Sequence, residues 1–401
     1  MSFDHYPTDA LMQVTHRPAQ VFVRGQGSWL WDSAGRRYLD CVQGWAVNTL
    51  GHAAPEISAA LQQQAGTLLH VGPGFYNDQA MLLAQQLVRL SGLDRVFFTN
   101  SGAEANEGAI KLARKYGQRH RGGASTIISF GNSFHGRTLA TMAASGKPGF
   151  DALFAPAVPG FVKVPYNDLA AVAEAIGPDT VAVMLELVQG EAGVIEADPV
   201  FVSQLRTLCD RNGLLLIVDE VQTGIARCGT LFAHTQYGIT PDIMTLGKGL
   251  GGGVPIGALM AREEVCCFEP GDQGGTYNGN ALVCAAALAV LQAVTAPGFI
   301  EQAAARGRQL RAGLVDVSRR QGQGAVHGRG LLLALDLAQP MSNALVEALR
   351  DQPRGDLPGL LVNPVRPQRL RWMPALNISA GEVDLALELL EAKLRALACG
   401  G

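Results

Sequence analysis

A lysine framed by glycines, Gly247-Lys248-Gly249, follows the short apolar stretch Asp242 to Leu246, and Gly251 to Gly253 come soon after it. Upstream, an unbroken apolar run from Leu214 to Val218 ends in two carboxylates, Asp219 and Glu220. Such a run predicts a strand buried on both faces of a parallel sheet. In open α/β sheets, ligands sit just beyond the carboxyl ends of the strands. Lys248 and Asp219 therefore both stand where a ligand is expected. A lysine amine can bond covalently to a carbonyl compound, and a carboxylate can hold a proton on a ring nitrogen. Taken alone, Asp219 also suits a helix cap and Lys248 a solvated loop.

The pairing fits pyridoxal phosphate, with Lys248 holding the aldehyde as a Schiff base and Asp219 partnering the pyridine nitrogen. That cofactor needs a seat for its phosphate. Thr99-Asn100-Ser101-Gly102-Ala103-Glu104-Ala105-Asn106 follows an expected strand and opens an expected helix. Gly102 allows close approach, Ser101 adds a hydroxyl, and the free N–H groups at a helix start favour an anion. Thr276, in Gly274-Gly275-Thr276-Tyr277-Asn278-Gly279-Asn280, is a second hydroxyl in a glycine-rich loop.

The elements that must position these residues alternate from Arg95 onward. Strands are expected at 96–99, 126–130, 181–187, 214–218 and 242–246, and helices at about 103–116 and 199–212. This alternation predicts a doubly wound, mostly parallel sheet with covering helices. Earlier, Trp29 to Trp31 and Tyr38 to Asp40 flank the turn Asp32-Ser33-Ala34-Gly35 and read as a hairpin. Helices follow at about 55–65 and 79–90. The regular pattern fades after about Leu291, and residues 300–401 read as a smaller α+β domain with helices at about 303–319 and 380–397 and a strand at 331–337. The expected division is 1–55 as an N-terminal segment joining the small domain, 56–295 as the large domain, and 296–401 as the C-terminal small domain.

The 401 residues hold roughly two to three domains' worth of chain at ~150 residues each. Hydrophobic residues make up 48% and charged ones 17%, enough for a large core and against disorder. A net charge of −3 with no charge runs argues against nucleic acid or a membrane surface as partners. Met1 to His5 carries no leader pattern, and no run is apolar enough to span a bilayer. Cys41, Cys209, Cys228, Cys266, Cys267, Cys284 and Cys399 form no C-x-x-C, so reduced thiols in a cytoplasmic protein, and no metal site, are expected.

With these pieces in place, the chain resembles the class III, or ornithine-type, pyridoxal phosphate aminotransferases. The matching stretches are RGQGSWLWDSAGRRYLD, SGAEANEGAIKLAR, SFHGRT, ELVQGEAGV, DEVQTGIARCG, PDIMTLGKGLGGGVPIGA, GGTYNGN and RWMPALNIS, in the family's order from about Arg24 to Ser379. The resemblance implies fold type I, the aspartate-aminotransferase architecture. It implies that Lys248 is the Schiff-base lysine, that Asp219 partners the pyridine nitrogen, that Phe134 stacks on the ring and that Gln222 bonds its phenolic oxygen, with Glu220 and Val221 between them. Ser101, Gly102 and Ala103 resemble the phosphate cradle, and Thr276 the residue that reaches the phosphate of the neighbouring subunit in a homodimer. Arg137 resembles the grip for the remote substrate carboxylate, Arg371 the second carboxylate arginine, and Glu186 and Glu191 the two active-site glutamates. Arg369 has the right type but stands off the motif position, and His135 reads as a packed loop residue.

The activity so implied moves the terminal amine of N2-acetylornithine to 2-oxoglutarate, giving N-acetylglutamate 5-semialdehyde and glutamate. Succinylornithine, ornithine, 4-aminobutyrate and succinyldiaminopimelate are alternative donors, and an aminomutase or racemase is the alternative class. The chain departs from the family at the substrate loop. Gly275 stands where serine is usual, Asn278 where glycine is usual, Ala281 where proline is usual, and Cys228 where threonine is common.

Overall fold

The computed structural model describes residues 6–351 and 357–399. The Met1 to His5 segment lies outside them, as does the side chain of Cys399. Seven strands form the central sheet in the order Arg95–Thr99, Gly257–Ala261, Ile243–Leu246, Leu215–Asp219, Thr180–Glu186, Thr126–Phe130, Phe161–Val164. All neighbours are parallel except Gly257–Ala261, which runs antiparallel to both of its partners. Every residue of Thr180–Glu186, Leu215–Asp219, Ile243–Leu246 and Gly257–Ala261 is buried. This is why those strands are written almost wholly in apolar residues: helices cover both faces.

The register places chemistry at one edge of the sheet. The central strand runs one residue further than the apolar run, so Asp219 belongs to the ladder itself. It lies opposite Glu186 on one side and Thr245 on the other. The helix Gly102–His120 packs across the sheet and starts beside that edge. Its N-cap, Ser101, accepts the Glu104 amide at 3.2 Å, a turn-forming bond that stops the chain continuing as strand.

Ala281–Val294 is a helix with no counterpart in the sequence reading; it is apolar on nearly all sides because it is buried against the Pro55–Ala65 and Asp78–Ser91 helices. Beyond it, Phe299–Gln321 and Ser342–Arg350 pack on an antiparallel sheet ordered Val326–Arg329, Leu332–Asp336, Arg369–Trp372, Asn363–Arg366, and Ala380–Cys399 packs against those two helices. The expected N-terminal hairpin is present as Trp29–Asp32 and Arg37–Asp40, preceded by Phe22–Gln26. Gly359–Leu361 adds to it in parallel, so the two ends of the chain share one sheet. Among the described residues no single helix is long and apolar enough to cross a membrane, and no group of three or more His, Cys, Asp or Glu could hold a metal ion.

Candidate active site

Asp219 sits at the sheet edge with both oxygens occupied. Its Oδ2 accepts from Asn106 Nδ2 and His135 Nδ1, each at 2.8 Å, and its Oδ1 from the Val221 amide at 3.0 Å. Asn106 is fixed in turn: its Nδ2 also donates to the His135 carbonyl at 2.7 Å, and its Oδ1 accepts from Thr245 Oγ1 at 2.7 Å. Burial opposes a charge on His135, but the Asp219 carboxylate outweighs it and holds the imidazole pKa above its ordinary value. Asp219 is thus a buried carboxylate locked by three donors.

Lys248 follows the Ile243–Leu246 strand in a left-handed backbone conformation, φ 39°. Among the described residues its ammonium has neither a hydrogen bond nor an ion pair. Burial and then the nearby Arg371 charge lower its pKa, partly offset by Glu191, Asp219 and Glu186. The backbone around it is close-packed. A Cβ at Gly102 would come within 2.5 Å of Val221 Cγ1, and one at Gly247 within 3.1 Å of Gly102 Cα. Thr49 Oγ1 ties down the next residue by donating to the Gly249 carbonyl at 2.8 Å. At the start of the neighbouring helix, the Gly102 and Ala103 amides find no acceptor in the described chain, whereas those of Glu104 and Ala105 go to Ser101. Two free N–H groups at the start of a long helix make an anion seat. Phe134 stands half-buried nearby, its amide donating to Glu186 Oε2 at 2.9 Å. Burial raises the Glu186 carboxyl above its ordinary pKa.

The other end of the site is cationic. Arg371 is 1% exposed, and each of its three nitrogens donates to a different acceptor. Nη2 meets Glu191 Oε1 at 2.8 Å, Nη1 meets Gln222 Oε1 at 3.3 Å, and Nε meets Asn363 Oδ1 at 3.1 Å. Burial works against the Glu191 charge, but Arg371 more than offsets it and holds the carboxyl below its ordinary range. Gly190 makes the approach possible, since a Cβ there would sit 1.7 Å from Gln222 Oε1. Arg137 is exposed and without an ion pair; its guanidinium lies 5.9 Å from the ring centres of Phe134 and Phe150. Lys147 approaches the same two rings at 5.8 and 5.4 Å.

The chain from residue 11 to 394 matches the model of the class III aminotransferases. The chain belongs to that family. It is 56% identical to acetylornithine aminotransferase 2 of Bordetella bronchiseptica over 99% of this chain and all of that protein. It is 53% identical to acetylornithine aminotransferase of Ralstonia nicotianae with the same coverage. The crystal structure of N-acetylornithine aminotransferase from Stenotrophomonas maltophilia superposes with a TM-score of 0.84 at 36% identity, covering 96% of this chain and 98% of that one. Ornithine aminotransferase of Toxoplasma gondii gives 0.90 at 32% identity, covering 98% and 94%.

A class III aminotransferase depends on pyridoxal phosphate, and the residues present fit it. A lysine unpartnered among the described residues, a locked carboxylate, two free helix amides and a cradle that a Cβ would fill gather at the strand ends. Lys248, Asp219, Gln222, Glu191 and Arg371 are brought together through the contacts above. Three of the residues singled out in sequence stand apart from that cluster. The Glu220 carboxylate is spent on the Ala233 and His234 amides at 2.6 and 2.8 Å and on His234 Nδ1 at 2.9 Å. Thr276 is exposed and, among the described residues, unpartnered. Gly275 has no room for the serine usual there: a Cβ would lie 2.6 Å from the Asn278 amide atoms. The aminotransferase site also contains residues absent from the sequence reading. Asn106 and Thr245 carry no local signal, since they reach Asp219 only through the fold. His135, taken as packing, is packed but also holds Asp219.

Proposed function

We propose that this enzyme transfers the terminal amine of N2-acetylornithine to 2-oxoglutarate, yielding N-acetylglutamate 5-semialdehyde and glutamate. The observation that carries the reading is the contrast between two arginines: Arg371 is buried and already paired with Glu191, while Arg137 has no ion pair among the described residues. The terminal carbon of such a donor bears no carboxylate, so it asks nothing of Arg371. Its own carboxylate lies at the far end of the molecule, toward Arg137, whose planar fork takes it in two bonds. Acylation removes the charge and nucleophilicity of the second amine, leaving one amine able to react. 2-Oxoglutarate differs in needing both arginines, so Glu191 must turn aside for it.

Bound pyridoxal phosphate supplies an aldehyde that takes up the amine and a ring that draws electrons from the reacting carbon. Asp219 would hold the ring nitrogen's proton, Ser101 with the Gly102 and Ala103 amides the phosphate, and Phe134 and Val221 the two ring faces. Lys248 would anchor the aldehyde and, with its pKa lowered, carry the proton from the reacting carbon. We divide the chain after residues 55 and 295, and we place it in the cytoplasm, a reducing compartment that suits its six described free thiols. We also propose a homodimer. Exposed Leu69, Phe75, Tyr76, Met81 and Tyr277 gather beside the Gly274–Asn280 loop, and Thr276 on that loop awaits a partner.

The test is a donor panel with 2-oxoglutarate as acceptor: acetylornithine, succinylornithine, ornithine, 4-aminobutyrate and succinyldiaminopimelate. Acetylornithine should give the highest kcat/KM. A higher value for 4-aminobutyrate or free ornithine would sink the assignment, and turnover without 2-oxoglutarate would point to a mutase or racemase.

A further inference from the structure

Glu191 lies at the tip of a small hairpin, Val188–Gln189 paired with Ile195–Glu196. The tip is a tight turn in which the Gly193 and Val194 amides both point at the Gly190 carbonyl, at 3.2 and 3.4 Å. Its outward carbonyls, next in sequence to Glu191, are held by two arginines from a different part of the chain. Arg366 Nε donates to the Ala192 carbonyl at 3.1 Å, and Arg369 Nη1 to the Gly193 carbonyl at 2.8 Å. Gly193 has φ +108°, and a Cβ there would fall 2.8 Å from Arg369 Cδ. The turn is therefore shaped to let the arginine pass over it.

Arg369 is itself fixed. It lies opposite Asp336 in the antiparallel ladder and forks onto that carboxylate, with Nη2 to Oδ2 at 3.0 Å; His327 Nε2 meets the same oxygen at 2.8 Å. Arg366 reaches onward to Asn132 Oδ1 at 3.3 Å, in the loop just before Phe134. Arg369 and Arg371 are two residues apart on one strand, so they point to the same face. One arginine holds the Glu191 carboxylate; the other holds the backbone that carries it.

We propose that Arg369, seconded by Arg366, is a positioning residue for the choice between the two substrates: it clamps the Gly190–Val194 turn so that Glu191 uncovers Arg371 by rotating its side chain over a fixed backbone. The inference rests on Glu191 masking Arg371 as read above. A fixed turn returns Glu191 to Arg371 whenever no carboxylate is present. A loose turn lets the pair drift apart and leaves Arg371 open to α-amino acids.

Arg369→Lys keeps a charge for Asp336 but loses the fork that reaches two partners at once. Two measurements on the holoenzyme test it beside Arg369→Ala. Hydrogen exchange should speed up at the Ala192, Gly193 and Val194 amides in both variants. The ratio of the half-reaction rate with glutamate to that with acetylornithine should rise about fivefold, the weight of one hydrogen bond. In Glu191→Ala that ratio should rise further, and adding Arg369→Ala should then change nothing more. A loosened turn with an unchanged ratio, while Glu191→Ala still shifts it, overturns the clamp and leaves the mask standing. If Glu191→Ala leaves the ratio unmoved, the mask falls, and the clamp's role in selectivity with it.

Discussion

At the scale of single residues, the site is a set of charges whose partners decide when they act. Arg371 is the sharpest case. Removing Glu191 leaves a guanidinium 1% exposed with only the neutral acceptors Gln222 and Asn363. Losing the partner of a buried charge costs about 3–5 kcal/mol, and the partial exposure of Glu191 places this pair at the low end. A carboxylate beside the reacting carbon would recover that cost; an ω-amine donor would not. Glu191→Ala should therefore accelerate the half-reaction with glutamate and slow or confuse the one with acetylornithine, as read by rapid-mixing absorbance of the cofactor. An equal change in both would show that Glu191 only supports the pocket. The pH dependence follows in sign. The Glu191 pKa is lowered on folding, so the pair's contribution is complete above the unfolded carboxylate value near 4.5 and is lost as pH falls through the lower folded value. Donor preference in the wild type should stay flat across neutral pH and erode only in acid, over the range the protein remains folded. The placement of Lys248 and Asp219 at strand ends was legible in sequence, because each sits in one short motif. The lock on Asp219 was not, because Asn106, His135 and Thr245 meet it only after two strands, a helix and a loop are in place.

Whole elements follow the same division. The buried parallel strands announce themselves as apolar runs, and their expected limits fall within a residue or two of those observed. The Gly257–Ala261 strand does not, because Gly-Ala-Leu-Met-Ala is short and reveals nothing of direction. The Ala281–Val294 helix does not either, because burial on most sides erases the period that marks a surface helix. The Gly274–Asn280 loop shows how departures from a family pattern can compensate. Asn278 fills the space a side chain at 275 would need, and its Oδ1 accepts from Asn100 Nδ2 at 2.8 Å, one residue before the phosphate seat. The usual serine and glycine have in effect become glycine and asparagine. Gly275→Ser alone should then weaken cofactor retention and lower the apoprotein melting temperature. Gly275→Ser combined with Asn278→Gly should restore most of both. If the double variant is as poor as the sum of the two single ones, the positions are independent and the pairing is wrong.

At the scale of the molecule, one chain supplies Lys248, Asp219 and the helix amides, but Thr276 lies exposed with no partner of its own. The loop that bears it is not slack. Asn77 Nδ2 holds the Gly279 carbonyl at 2.9 Å, Asn280 caps the Ala281–Val294 helix, and Asn278 is tied to Asn100. A hydroxyl presented on a braced loop amid exposed Phe75, Tyr76 and Tyr277 suits the second copy of the chain proposed above. In a two-fold dimer such a contact is reciprocal: each chain would complete its partner's site and have its own completed in return. The arrangement makes a measurable claim about mixtures. A Lys248→Ala chain lacks the amine proposed to anchor the cofactor and move the proton, worth roughly 10²–10⁴-fold in rate for the base alone, yet its Thr276 is intact. A Thr276→Val chain has the lysine but offers its partner no hydroxyl. In a hybrid dimer, the site whose lysine comes from the Thr276→Val chain receives its threonine from the Lys248→Ala chain, so one site per hybrid is whole. Random exchange of equal amounts yields hybrids as about half of all dimers, and each has one of its two sites intact, so activity should climb to about a quarter of the wild-type value per site. Mixing the two variants and following activity as subunits exchange reads this directly. Activity that stays at the level of the separate variants, after mass spectrometry has shown hybrids to be present, would mean that each site is built from a single chain.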